Sequence, residues 1–375
     1  MRSASLAAAA LALLAALYAP LALSASAVRA AVPPHAAARV TASPAAKAAP
    51  APVRMPVGGT DARPLLVAAV AAPKHVSFVG KMWSIRGGQT RSFAVGSQIE
   101  HRAPEETRRT YLTPRVLYGQ FVISRGAMSY DVDPQRKRVV VSENKAAVDP
   151  VAVVDDIALV DGNYRAVRTA SGSTANRKVD VVDLVSRFTG ERAMRLWIDV
   201  QTHVVLAKEA YHSDGSLAWS TRYEDIRYTD DIPQSIFSST APAGFVTVRG
   251  RSYQEPRTLP NAIPDPGFKP ITPKYLPDGF VLSGSDVSQI KDVRNLHLIY
   301  SDGIRTLSLF ENATDRAIDF AGLAPKTVAF DKHDGQYVRD GPTTLLAWRE
   351  EGLAFALVGD LDLKELVQIA TSVVP

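Results

Sequence analysis

AMRLWIDVQTHVVLAKEAYHSDGSLAWSTRYEDIRY, residues 193–228, is rich in Val, Ile, Leu, Tyr and Trp and reads as a succession of β-strands. His212-Ser213-Asp214-Gly215 supplies the turn between strands over Leu206–Tyr211 and Leu217–Tyr223, because an Asp-Gly step suits a tight hairpin. The same character extends backwards. VSFVGKMWSIRGG (76–88), QTRSFAVGSQIEHRA (89–103), TRRTYLTP (107–114) and RVLYGQFVISRGAMSYDVDPQRKRVVVS (115–142) also read as strands. They are broken at Gly-Gly, Arg-Gly and Asp-Pro. Many short strands at close spacing predict a meandering antiparallel sheet. DPVAVVDDIALVDGNYRAVR (149–168) is expected to supply a helix and a connection between them.

The ends of the chain differ from this middle. Arg2, an apolar run from Leu6 to Leu23, and the small residues Ala25-Ser26-Ala27 and Val28-Arg29-Ala30 form a secretory signal pattern over 1–30. Cleavage is expected after Ala27 or Ala30, with an uncleaved anchor as the alternative, so the mature chain is expected outside the cytoplasm. Residues 31–70 are dominated by Ala, Pro and Val and read as a disordered leader, with a short helix over Ala62–Ala72 at its end. The expected first domain spans 71–248. A Pro-rich linker at 249–273 leads to a second, smaller α+β domain over 274–375. That domain carries strands near Val281, Leu296–Tyr300, Thr306–Phe310, Thr327–Phe330, Thr344–Trp348 and Ala354–Val358. A helix over roughly Asp362–Val373 closes the chain, with Asp360 or Asp362 as N-cap.

Composition removes several classes of chemistry. The 375 residues contain no cysteine, which excludes disulfides, thiolate metal sites and cysteine nucleophiles. The net charge of +5 is unevenly placed, since residues 274–375 carry 10 Lys/Arg against 15 Asp/Glu. No basic stripe interleaved with aromatics marks a nucleic-acid module, so nucleic acid is not an expected partner. The 7 histidines show no H-x-x-x-H or H-E-x-x-H spacing. Asp131-Val132-Asp133-Pro134 opens like a calcium loop, but Arg136 and Ser142 occupy the positions that need Gly and Glu, and a type I turn fits better. There is no G-x-S-x-G elbow and no phosphate-cradling glycine motif. His212, Ser213 and Asp214 are contiguous, and triad members must converge from separate elements. No catalytic residue, metal or cofactor is expected, and the chain reads as a non-enzyme.

What remains is binding. Phe78, Trp83, Phe93, Tyr111, Phe121, Tyr130 and Trp197 lie on the strands of the first domain. Core packing accounts for most such side chains, yet a curved sheet with a helix on one face leaves an apolar groove. Arg86, Arg91, Arg102, Arg108, Arg109 and Arg115 cluster on the same strands, as a solvated face or as the rim for an anionic headgroup or acidic peptide.

The stretches at 78–112 and 115–141 resemble the opening of LolA-like, lipoprotein-carrier domains. Residues 196–228 resemble the N-terminal domain of the MucB/RseB family. YLPDGFVLSG (275–284), LHLIYSDGIRTLSLFEN (296–312) and VGDLDLKELVQIATSVV (358–374) are similar to that family's C-terminal domain. The resemblance implies a mainly β, α+β chain: a LolA-like unclosed antiparallel β-barrel with helices, plus a smaller α+β C-terminal domain. It implies a periplasmic regulator of sigma-factor signalling and stress response. Such a protein binds the periplasmic domain of an anti-sigma factor and senses a lipid or amphiphile in its cavity. A lipid or lipoprotein carrier is the alternative, and a homo-oligomer stays open. Tyr300, Ser301, Asp302, Gly303 and Arg305, in the YSDG hairpin, are the residues expected to meet the partner, and one face of that hairpin is expected to be partly free.

Overall fold

The computed structural model describes residues 60–86, 93–142, 151–154, 156–249, 263, 265–290, 293–314, 320, 323–340 and 343–374. The expected signal segment, most of the leader and the centre of the linker lie outside these residues. Strands of the first unit are β1 (Thr60–Asp61), β2 (Phe78–Arg86), β3 (Phe93–Arg102), β4 (Glu106–Thr113), β5 (Phe121–Arg125), β6 (Met128–Asp133) and β7 (Arg138–Ser142). They continue as β8 (Tyr164–Thr174), β9 (Arg177–Ser186), β10 (Arg192–Asp199), β11 (Val205–Tyr211), β12 (Leu217–Tyr228) and β13 (Val246–Arg249). Helix α1 (Arg63–Ala71) precedes β2, and α2 (Ile157–Asn163) precedes β8.

These strands form one 13-stranded sheet, ordered β1-β8-β9-β10-β11-β12-β2-β3-β4-β5-β6-β7-β13. Its ends are the different strands β1 and β13, so the sheet does not close. Neighbours are antiparallel except β13, which runs parallel to β7. Register shifts at Gly96/Ser97, Trp197/Ile198 and Tyr223/Asp225 are the kind of irregularity that bends and twists a ladder. One face, here the inner face, packs Val182, Leu184, Leu196 and Ile198 against Leu66 and Ala69 of α1 and Val160 of α2.

The sequence reading and this sheet differ in two places. Residues 60–70 were expected to belong to the leader, yet β1 pairs with β8 and α1 packs on the inner face, where Leu66 and Ala69 are almost fully buried. NYRAVR was expected to be connection, yet Tyr164 begins β8, which pairs with the Val-rich β9 over ten registered positions in the longest hairpin of the sheet.

The second unit comprises β14 (Val281–Ile290), β15 (Val293–Ser301), β16 (Thr306–Asn312), β17 (Lys326–Phe330), β18 (His333–Asp340), β19 (Thr343–Glu350), β20 (Leu353–Gly359) and α3 (Leu363–Thr371). Of these strands, β14-β15-β16-β20-β19-β18-β17 is the order in a 7-stranded antiparallel sheet. The N-cap of α3 is Asp362, whose carboxylate accepts the Glu365 N–H at 2.7 Å. Leu366, Ile369 and Ala370 of α3 bury against Leu298, Tyr300, Leu307, Leu309 and Leu357.

Candidate functional site

The inner face of the first sheet follows from strand alternation. Cα partners run Gly80–Ile99–Arg109–Val122–Asp131 across β2 to β6, one inward row. Beside it, Tyr223, Met82 and Ser97 form a second row leading to Tyr111. Gly80 matters here, since a Cβ would lie 2.9 Å from the Tyr223 ring. Glycine therefore lets that ring lie across the sheet. Between this face and the segment before β2 lies a narrow crevice with about 10 Å³ of enclosed space, room for about one water. Pro73, Phe78, Met82, Val151, Leu206 and Tyr223 line it.

Arg109 stands in this interior with 1% of its surface exposed. Its Nε donates to Ser97 Oγ at 3.1 Å and Nη2 to Ser84 Oγ at 3.4 Å. The guanidinium lies 5.0 Å from the Tyr111 ring centre. Its Nη1 has no partner, and among the described residues no carboxylate pairs with it. Burial pulls the Arg109 pKa down and pushes that of Tyr111 up. Asp131, further along the row, is closely surrounded although its side chain reaches solvent. Burial, then repulsion from Asp133, pushes its carboxyl up to about 6 against the pull of Arg138.

The structure divides the aromatic set named from sequence. Phe78 and Tyr111 turn inward, and Phe78 lines the crevice. Trp83 is 40% exposed on the outer face, with Nε1 donating to Glu224 at 3.3 Å. By register Trp83 shares that face with Arg222 and Trp197, and the Trp197 ring lies near both Arg222 and Arg195. Phe121 and Tyr130 pack outward with Ile123, Ile232 and Phe237, Phe121 beneath Arg108. The Phe93 side chain lies outside the described residues. Composition carries no register, and a period of two sends neighbouring residues to opposite faces.

The second candidate region is the seam between the units, and the YSDG turn sits in it. Tyr164 Oη donates to Asp302 Oδ2 at 2.6 Å. Asn163 Nδ2 donates to the carbonyls of Gly279 and Asp302, both at 2.9 Å. Asp302 Oδ1 accepts the N–H groups of Ile304 and Arg305 at 2.9 and 2.7 Å, which holds the turn. Ser301 Oγ donates to the Arg305 carbonyl at 3.0 Å and accepts the Gly303 N–H at 2.9 Å. Gly303, at φ +98°, rests on the middle of α2, where a Cβ would lie 2.9 Å from the Val160 nitrogen. Burial, then the Asp302 charge, raises the Tyr164 pKa. A second contact joins His212 Nδ1, in the β11–β12 turn, to Asp360 Oδ2. Tyr300 is buried in the second core, and Arg305 is half-buried with Nε and Nη2 unpartnered. The turn expected to meet a partner thus meets the chain's own first unit here.

Sequence reasoning missed Asn163, Tyr164, Gly279 and Asp360 as contact residues. The partners of Asn163 and Tyr164 are 116 to 139 positions away, and no local pattern records such pairings. Among the described residues no group of three or more His, Asp or Glu is placed to hold a metal, and no helix is long and apolar enough to cross a membrane.

Residues 61–241 match the model of the MucB/RseB N-terminal domain, and residues 270–373 match a domain of unknown function, DUF4367. The structure is similar to that of MucB in the Pseudomonas aeruginosa MucA/MucB complex. The TM-score is 0.57 at 17% identity, covering 84% of this chain and 98% of that one. A second structure, MucB in complex with MucA(peri), gives a TM-score of 0.56 at 17% identity, with 84% and 99% covered. An uncharacterized protein of Methanocaldococcus jannaschii is 21% identical over 203 residues, 53% of this chain. Those residues are 58% of the relative, so the chain spans little more than half the length of that curated protein. Residues 61–241 thus carry the MucB/RseB N-terminal domain, and the chain shares with those MucB structures the fold of an unclosed sheet followed by a second β unit.

Proposed function

We propose that this chain is an extracytoplasmic, non-enzymatic regulator that binds the periplasmic part of an anti-sigma factor and responds to an amphiphile held on the inner face of its first unit. The observation that carries the reading is the two-unit architecture, shared across nearly the full length of a MucB that was solved bound to MucA. The expected secretory leader places such a partner within reach. Tyr300, Ser301, Asp302 and Gly303 are proposed to hold the partner-facing turn in shape. Arg305, which leaves two side-chain nitrogens unpartnered, is proposed to meet an acidic group.

The test is a pull-down, followed by calorimetry, between the mature chain and the periplasmic segment of a single-span anti-sigma factor encoded beside it. Specific binding is expected, weakened by Arg305→Glu with the melting temperature near wild type. Absence of binding overturns the reading. A lipid or lipoprotein carrier is the second reading, favoured by the crevice beside Phe78 and Met82. Delivery of a bound lipid to acceptor vesicles would support it. The second unit weighs against it, because a carrier needs only the first.

A further inference from the structure

We infer that one rim of the first sheet is a docking surface for the anionic face of a lipid bilayer. The rim lies on the outside of the sheet, apart from the inner face and its crevice.

Strand pairing places the start of β12, the close of β2, the start of β3 and the close of β4 at one end of the sheet. Trp219 pairs with Arg86, Arg86 with Phe93, and Gly96 with Thr113. Among the described residues twelve large apolar side chains are exposed, and five of them lie at this end. They are Trp83 (40%), Ile85 (43%), Val116 (40%), Tyr118 (63%) and Leu217 (43%). Apolar residues exposed singly are ordinary, whereas a clustered set marks an interaction surface. Gly96 joins two parts of the cluster. A Cβ there would lie 3.3 Å from the Trp83 ring and 2.8 Å from the Thr113 hydroxyl, so glycine lets the ring lie across β3 toward β4. Thr113 leads into the loop that carries Val116 and Tyr118.

The fold holds these side chains out. Leu117 is buried with Val95, Tyr111 and Val122 and anchors the loop, while Val116 and Tyr118 on either side of it stay in solvent. The Gly119 N–H donates to the Tyr111 carbonyl at 3.1 Å and the Tyr118 N–H to the Arg115 carbonyl at 3.2 Å. Trp83 satisfies its one polar group on Glu224 at 3.3 Å, which leaves the ring face open.

Charge selects the occupant. From Trp83 to Ile99 and from Thr110 to Ser124 the sequence carries three arginines and no Asp or Glu. Arg115 is exposed beside Val116, and Arg222, the Cα partner of Trp83, is exposed too. The neighbouring acids have partners: Glu224 has Trp83, Asp225 has Lys81 and Asp214 has Ser216. Indole, phenol and aliphatic groups set among arginines match a layer of anionic headgroups, with the rings at headgroup level and the guanidinium groups on phosphate. A neutral apolar partner would leave the arginines without counter-charge.

The test is co-sedimentation of the full mature chain with vesicles of phosphatidylcholine alone and of phosphatidylcholine mixed equally with phosphatidylglycerol. Binding to the mixed vesicles is expected to be at least about fivefold tighter and to weaken with added salt. Val116→Asp combined with Tyr118→Asp is expected to weaken it at least about tenfold, through lost apolar burial and added negative charge. Arg115→Gln is expected to weaken binding to the mixed vesicles about fivefold and to leave binding to phosphatidylcholine unchanged. All three positions are exposed, so melting temperatures should stay near wild type. Val200→Asp, in the β10–β11 turn at the opposite end of the sheet and 48% exposed in wild type, is expected to change nothing. Wild type that does not prefer the mixed vesicles would overturn the inference, and so would a folded double variant that binds them unchanged. If the rim instead joins two copies of this chain, ultracentrifugation without lipid will show a dimer that the double variant dissociates, with no vesicle binding, and that result overturns it as well.

Discussion

Glu311 enters the core of the second unit with 0% of its surface exposed, and Oε2 accepts the Ile271 N–H at 2.9 Å. Burial pushes its carboxyl up to about 7, and the single backbone hydrogen bond offsets this only in part. A folded-state pKa above the unfolded one means that the folded chain holds the proton more tightly. The associated stability is fully present below about pH 4.5 and is lost as pH rises through about 7. Its size is on the order of 3 kcal/mol. Glu311→Gln keeps an oxygen for the Ile271 N–H and removes the charge. Urea unfolding between pH 5 and 8 is expected to show wild type losing stability more steeply than the glutamine variant, which keeps only the decline due to Asp131. Parallel curves would show that Glu311 does not titrate in this range. Arg109 poses the same problem with the opposite sign, and its cluster of strand arginines was visible in the sequence. Which of those arginines is inside was not visible, because both faces of β4 carry arginine, Arg108 outward and Arg109 inward.

At the scale of elements, the β15–β16 hairpin was legible in full, turn included, but its setting was not. One face was expected to be partly free. Instead Leu298, Tyr300 and Leu309 pack against α3, and His297 stacks on Phe310 at 4.3 Å on the other face, in a core region that includes Phe320. A central strand buried on both sides reads like any alternating strand when its polar positions, here His297, Ser308 and Asn312, are themselves buried. The glycine of the turn has two independent requirements, a positive φ and contact with α2. Gly303→Val is therefore expected to cost at least about 2–3 kcal/mol, from strain and from the clash together. Chemical denaturation checks it, and a loss under about 0.5 kcal/mol, the usual range for an exposed site, would mean that the turn does not bear on α2.

For the whole molecule, the seam decides how the two units are joined. Asp302 is 4% exposed and accepts from Tyr164, so removing that hydroxyl leaves a buried carboxylate one donor short. Tyr164→Phe is expected to lower stability by about 1.5–3 kcal/mol, as for a hydrogen bond to a charged group. It is also expected to speed trypsin cleavage between the units, with each unit's own far-UV spectrum unchanged. Cleavage at the wild-type rate would show that the bond does not hold the units together. Val160 of α2 packs on the inner face of the first sheet and also bears the YSDG turn, so the first core and the seam share one element.

The sequence by itself determined the β character of both units, the Asp-Gly hairpin turns, the closing helix with its Asp362 cap, and the family to which these motifs point. Each of these depends on residues close together along the chain, through alternation, turn chemistry or capping. Only the tertiary structure decided which face of each strand is inside, that Thr60–Ala71 belongs to the first unit, and that Trp83 and Trp197 look away from the crevice. It alone joined Tyr164 to Asp302. The physical reason is the same throughout. A period of two fixes that neighbours oppose one another, while the choice of side, and of partners more than a hundred residues away, is made by burial and contact across the fold.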